Sequence, residues 1–410
     1  MSKAFFLLLI LTVCVCSLAD APNQAEPKPN ILPARGPADP NILQWISASA
    51  MKIVELTPAA DIGRPMFHLL PLKTDLTNEA SLPIYLQVFT EDPNQPEKNP
   101  DFELIEQQIS LPAEQLDIKA VATELERCRD RLQLLQKASI CRNIEWPALD
   151  SHSPINSYPV SAVHPDESAL FTLTPKEYLD FLMDIYRYGR LTALKARYHI
   201  VRREYNSAAE WLQSGLSISR QMVCRSNPQL AMMAAANAAA MLTQIELWIQ
   251  TPGAPSLYRS LQDLPMPFLV ADSTDAPDRK KTEQFNPMME MLSDGTAAIP
   301  DVNEIRTQQE TLPVYTSRQA EQMCQQIDRF IAVLECIEGL RYYASVYDGL
   351  LPNSLGEITE IRLPCDPVTK RPLIYYRQED AYILQTADVL REPMPSAFRY
   401  KIRLMSHAKE

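Results

Sequence analysis

Nine glycines in 410 residues, about 2% against a usual ~7%, is the feature that most narrows what this chain can fold into. Phosphate-cradling loops and strained nucleophile turns need glycine, because only a residue without Cβ takes φ > 0 freely or lets a ligand approach the backbone closely. The sequence holds no G-x-G-x-x-G, no G-x-x-x-x-G-K-[ST] and no G-x-S-x-G. Nucleotide-binding folds and α/β-hydrolases are disfavoured on that ground. Proline is abundant at 34 residues, and an apolar share of 46% is enough for a sizeable core. The length suits two or three domains, or one large one with insertions.

The N-terminus reads as a signal peptide over residues 1–19, of the kind used by the general secretory route. Lys3 supplies the charged start, Phe5 to Leu18 the apolar stretch, and Ser17-Leu18-Ala19 the small residues ahead of a cut before Asp20. The apolar run is short for a membrane span. Cys14 and Cys16 follow Val13 and Val15, where a lipoprotein site wants a small residue. Cleavage, lipidation and retention as an anchor all stay open, and only such an anchor would bring the chain to a membrane. Losing residues 1–19 removes one lysine and no acid, moving the net charge from −12 to about −13. That balance disfavours nucleic acid or an anionic membrane surface as partner.

Six cysteines follow the signal: Cys128, Cys141, Cys224, Cys324, Cys336 and Cys365. An even number in an exported chain permits up to three disulfides, and the sequence does not choose among the pairings. Burial as small hydrophobes is the competing reading. Cys324 and Cys336 sit roughly 18 Å apart along one expected helix and cannot pair with each other. With no C-x-x-C and five scattered histidines, no zinc cluster is expected.

Residues 20–41 carry six prolines and few apolar side chains, and read as a tether. A helical domain is expected over 42–271. Its first part, from Ile42 to about Glu91, reads as short helices and loops. Ile118, Val121, Leu125, Cys128, Leu132 and Leu135 then form a seam that packs against another helix of the same chain. Thr174-Pro175-Lys176-Glu177 opens a helix with a proline at its first position, and Ser207-Ala208-Ala209-Glu210 is a capping box for the next. The span Ala193 to Arg220 looks like a single tetratricopeptide-type hairpin, without the further copies an array needs. Asn227-Pro228 begins a third helix, Ala- and Met-rich and expected to be the most buried, which Pro252-Gly253 stops.

Residues 272–315 read as a linker or long loop. An α+β module follows over 316–405: a long helix capped at Thr316 and Gln319, Gly349 at its C-cap, then strand-like segments at 373–376, 382–384 and 398–404 around a polar turn at Gln378 to Asp380. The expected fold is mainly α: a helical-hairpin domain followed by one long helix on a small antiparallel sheet.

Two resemblances add to this reading. Over roughly Cys324 to Thr386, the long helix, the Gly349-Leu350-Leu351-Pro352 link, Leu355, Asp366-Pro367 and Tyr375-Tyr376 resemble the C-terminal module of type II secretion pseudopilins. Pseudopilins assemble through an N-terminal hydrophobic helix that is absent before this one. Their calcium loop is replaced here by Gln385-Thr386-Ala387-Asp388-Val389, so calcium is not expected. Over most of the mature chain, Ala208 to Leu216, Glu246 to Leu264 (with Gln250-Thr251-Pro252-Gly253-Ala254-Pro255-Ser256-Leu257-Tyr258), Arg64 to Leu70 and Pro83-Ile84-Tyr85 resemble an uncharacterised family of exported proteins of planctomycete bacteria. That resemblance implies architecture and an envelope setting.

Paired carboxylates suit acid–base work, yet Asp180 with Asp184, and Glu357 with Glu360, read first as solvated faces. His152 and His164 bracket a loop with Asp150, Ser151, Ser153 and Asp166, where a hydrolase constellation is conceivable. Met288-Met289-Glu290-Met291 offers soft copper ligands, but packing explains it as well. Arg399, Lys401 and Arg403 read first as protection of an exposed strand edge and second as a dock for an acidic partner. No catalytic, cofactor or metal residue is assigned. The favoured function is a non-catalytic scaffold or protein-interaction protein of the cell envelope, in the periplasm or bound to it. The alternatives are an exported hydrolase with an unrecognised site and an accessory protein of a secretion or pilus-like apparatus.

Overall fold

Period-3.6 apolar seams dominate the sequence, and the protein is helix-rich with a small mixed sheet. A computed structural model describes residues 51–59, 66–89, 99–143, 175–223, 228–269, 302–387 and 398–405. In chain order the elements are β1 (Lys52–Leu56), β2 (Thr77–Ala80), α1 (Leu82–Phe89), α2 (Phe102–Ser110), α3 (Ile118–Arg127), α4 (Arg129–Ser139), β3 (Cys141–Asn143), α5 (Pro175–Val201), α6 (Tyr205–Gln221), α7 (Pro228–Gln250), α8 (Tyr258–Gln262), α9 (Val302–Val346), β4 (Ile374–Gln378), β5 (Ala381–Gln385) and β6 (Arg399–Leu404).

Local signals account for four of the helix starts. Pro175 and Pro228 are the first residues of α5 and α7, where the missing N–H leaves no helical bond unmade. Asp101 and Asp117 cap α2 and α3 by accepting from Leu104 N and from Lys119 N and Ala120 N. The seam from Val121 to Leu135 is buried against α1, α5 and α6, but it bends at Cys128 and splits into α3 and α4. The capping box at Ser207 is not used: α6 already begins at Tyr205, after a tight turn in which Arg203 has φ +60°.

Helices α5, α6 and α7 pack on one another, and α7 also lies along α9. Close approach is secured by two bare positions. A Cβ on Gly189 would strike Asn237, and one on Gly215 would strike Met241. Helix α7 is buried along almost its whole length, and 83% of its most apolar window lies inside the protein, which marks a core helix.

Three expectations change. The four-stranded sheet is mixed, in the order β1-β6-β5-β4. Strand β1 enters parallel to β6, with Val54 opposite Ile402, whereas β4, β5 and β6 are antiparallel. The N-terminal stretch expected to hold only helices and loops therefore supplies an edge strand. Its alternation, with Val54 and Leu56 inward and Ile53 and Glu55 outward, was present in the sequence but too short to stand out. The long helix starts at Val302 and runs through Pro313, well before the caps expected at Thr316 and Gln319. Residues 302–315 of the expected linker are thus helical. At its other end Gly349 has φ +80°, and its N–H bonds Ala344 O, which ends the helix as a glycine cap does.

Candidate functional site

Helix α9 is enclosed on every side over residues 326–341, where each residue is buried. More than four turns of helix cannot hide all their faces against one neighbour. Here α7, α8, the sheet and the loop from 355 to 373 share the task. Phe330 stacks on Phe398 next to β6, and Gly339 admits Leu363, whose Cδ2 would stand 2.5 Å from an added Cβ.

The enclosed span carries charge. Arg329 meets Asp366 with both side chains fully buried, Nε reaching both carboxylate oxygens at 3.2 Å and an Nη donating at 2.8 Å. Asp366 also accepts from Val368 N and Thr369 N, forming the turn that Asp366-Pro367 announces. Burial would raise its pKa, yet these donors, led by Arg329, outweigh burial and hold the carboxyl below its ordinary range. Flanking Gly339, Glu338 and Arg341 pair at 2.8 Å, again with both side chains fully buried. Arg341 further donates to Thr57 O and Ala254 O, and Glu338 accepts from Ser256 Oγ and Leu257 N. The segment from Gln250 to Tyr258 is thereby wrapped on the helix, with Trp248 Nε1 donating to Pro255 O and Tyr258 Oη to Arg362 O.

Two further acids on this span have no salt-bridge partner among the described residues. Burial raises Asp328 to about 6, against the opposing pull of the Phe268 N–H at 2.7 Å and the Lys370 charge. Burial raises Glu335 to about 7, opposed by the Arg362 charge. These groups are embedded in packing rather than gathered round a cleft, so their arrangement holds structure together. The cavity lined by Tyr85, Ile185, Tyr188, Met222 and Asn237 lies among α1 and α4 to α7 and is small and mostly apolar.

The outer face of the sheet, away from α9, has the other character. Residues directly opposite in adjacent strands share a face, so one row crosses all four strands as Ile53, Lys401, Ile383 and Tyr376. Ile53 is 58% exposed, Tyr376 43% and Ile374 40%; Ile383 between them is buried. Arg399, Lys401 and Arg403 run down the middle of this face. Strand β6 has neighbours on both sides, so the three do not protect an edge, as first expected. Asp380 lies 3.8 Å from Lys401 and 3.3 Å from Arg403, and Glu55 stands opposite Arg403. The stripe is therefore partly compensated.

The acid pairs singled out in the sequence are absorbed locally. Asp184 contacts Arg187 at 3.4 Å, and the side chain of Asp180 lies outside the described residues. Glu357 accepts from Asn353 N, while Glu360 accepts from Tyr347 Oη and Thr359 N, so the two hold separate turns. Asp150, Ser151, His152, Ser153, His164, Asp166 and the run Met288 to Met291 lie outside the described residues. Among the described residues no three His, Cys, Asp or Glu side chains converge as a metal site. Of the six cysteines, Cys128, Cys141, Cys324, Cys336 and Cys365 are free thiols, and Cys224 lies outside the described residues. Burial pushes Cys128 and Cys324 up to about 12 and Cys336 upward as well, which makes them poor nucleophiles.

Compared with protein-family descriptions, characterised proteins and solved structures, the chain matches none of them.

Proposed function

We propose that this protein is a non-catalytic scaffold or interaction protein of the bacterial cell envelope, exported by the general secretory route. Its architecture reads as a helical-hairpin domain followed by a pseudopilin-like α+β module, and its relatives as the uncharacterised exported family of planctomycete bacteria. The observation that carries the binding reading is the outer sheet face, where exposed Ile53, Ile374 and Tyr376 flank a row of basic side chains. Apolar side chains ringed by polar ones on an otherwise charged surface are what a protein-binding patch looks like. The ionisable groups of the enclosed helix, by contrast, are committed to packing.

The test compares the full chain with a variant carrying Ile53→Glu and Lys401→Glu as baits on envelope fractions, read by quantitative mass spectrometry. Loss of a specific captured protein in the variant supports the reading. Identical capture by both baits, or a hydrolytic activity that the variant retains in full, contradicts it.

A further inference from the structure

Among the described residues strand β4 ends the sheet, and four of its five residues are exposed. It carries no proline and its register with β5 is unbroken, so two of the usual protections of a sheet edge are missing. The two-residue turn at Glu379-Asp380 makes Gln378 and Ala381 a hydrogen-bonded pair. Alternation then points the backbone groups of Ile374, Tyr376 and Gln378 toward β5, and those of Tyr375 and Arg377 outward.

Those outward groups restrict how a second strand can add. A copy of β4 arriving antiparallel about a two-fold axis has three registers that use them. Arg377 against its own copy sets like charges opposite each other, which is unfavourable. Tyr375 against its own copy sets Arg377 opposite Leu373, which is only 4% exposed. The third register pairs Tyr375 with the second copy's Arg377 twice and places Tyr376 against itself on the axis. The charges at the ends favour antiparallel addition in any of these registers. The hairpin edge is basic at its start, with exposed Lys370 and Arg371, and acidic at its turn, with exposed Glu379 and Asp380. Antiparallel pairing brings each basic end beside the other copy's acidic end.

We propose that two copies of this chain join β4 to β4 in that register, making one continuous sheet across a two-fold axis at Tyr376. The partner here is a second copy, and although Ile374 and Tyr376 also border the outer-face patch, self-association and capture of another protein are separate readouts, so either proposal can fail alone. Five paired residues are few against the roughly 1,600 Å² of a standard interface, so the dimer is weak and concentration-dependent.

The test uses the full chain with Cys365→Ser, carrying either Tyr376→Cys or Ile374→Cys. Directly opposed positions stand within disulfide reach, whereas Ile374 faces Gln378 of the second copy and is far from its own counterpart. Tyr376→Cys is expected to form at least about tenfold more cross-linked dimer than Ile374→Cys under the same oxidant. In sedimentation, the unmodified chain shows a monomer–dimer equilibrium, and Tyr376→Lys is monomeric with an unchanged melting temperature. A chain monomeric at every concentration up to about 1 mM, equal cross-linking at both positions, or a dimer that Tyr376→Lys leaves intact would each overturn the proposal.

Discussion

Helices α7 and α9 are both enclosed, yet they reach that state by opposite means. Helix α7 hides behind small and flexible side chains, from Met233 through Ala234, Ala235 and Ala236 to Met241, with neighbours made bare by Gly189 and Gly215. Helix α9 hides Arg329, Glu338 and Arg341 completely and Asp328 and Glu335 nearly so. The first strategy gives close packing with little to distinguish one rotation or shift from its neighbour. The second is demanding, because a buried charge is costly unless its particular partner is in place. On α9 those partners come from distant places: Asp366 in the loop before β4, Ser256 and Leu257 before α8, and Thr57 after β1. The charges therefore specify where the chain's far-apart segments meet.

Removing one member of a buried pair breaks the comparison most sharply. Asp366→Ala leaves Arg329 buried without its carboxylate and is expected to cost about 3–5 kcal/mol in urea unfolding. The double variant Arg329→Met with Asp366→Leu should cost clearly less than Asp366→Ala alone. Equal losses would mean that packing, not charge, dominates there.

On α7 the equivalent damage is steric. Gly215→Ala drives a Cβ into Met241 and is expected to cost about 1–3 kcal/mol, since Met can yield only in part. The same denaturation measurement applies, and a neutral result would show that α7 tolerates overpacking.

The unpaired acids of α9 give a prediction in pH. Asp328 and Glu335 have folded-state values near 6 and 7, above their ordinary 3.8 and 4.5. Each favours the folded state while protonated, and this advantage is lost as pH rises from about 4 through 7. Asp328→Asn and Glu335→Gln should each stabilise the protein at pH 8 by on the order of 2 kcal/mol and leave it nearly unchanged at pH 4. Asp366 works in the opposite sense, its contribution being lost as pH falls below the ordinary carboxylate range. Stability profiles of the variants against pH, compared with the unsubstituted chain, separate the two. The smallest effect belongs to the β4–β5 turn. Glu379 has φ +54°, so Glu379→Gly should gain about 0.5–1 kcal/mol in thermal unfolding, and a loss would show that the side chain is needed.

What was legible in the sequence was local. Pro175, Pro228, Gly349 and the hairpin from Leu373 to Leu384 act within a few residues of themselves, and their elements stand where the patterns put them. Strand β1 was hidden because its partner β6 lies near the far end of the chain, and five residues of alternation are easily read as loop. The break at Cys128 and the early start of α6 are tertiary adjustments that a period-3.6 pattern does not encode. The charges of α9 were misleading in a more basic way. A reading built on the apolar stripe gives Arg329, Glu335 and Glu338 no partner, and only the segments that wrap the helix make them interior. Asp366-Pro367 was visible as a turn, but nothing in its neighbourhood names Arg329 as its partner. The outer sheet face depended equally on knowing that β6 is an inner strand.

Native-state hydrogen exchange tests most directly the claim that the charge pairs of α9 bind sheet and helices into one cooperative unit. Amides of α9 from Ile327 to Leu340, of Ile383 and Leu384 in β5, and of Ala234 to Leu242 in α7 are predicted to open with one common free energy, equal to that of global unfolding. Asp366→Ala should lower all of them together. Protection of α9 and the sheet lost at lower free energy than that of α7, or lowered by Asp366→Ala while α7 keeps its own, would contradict it.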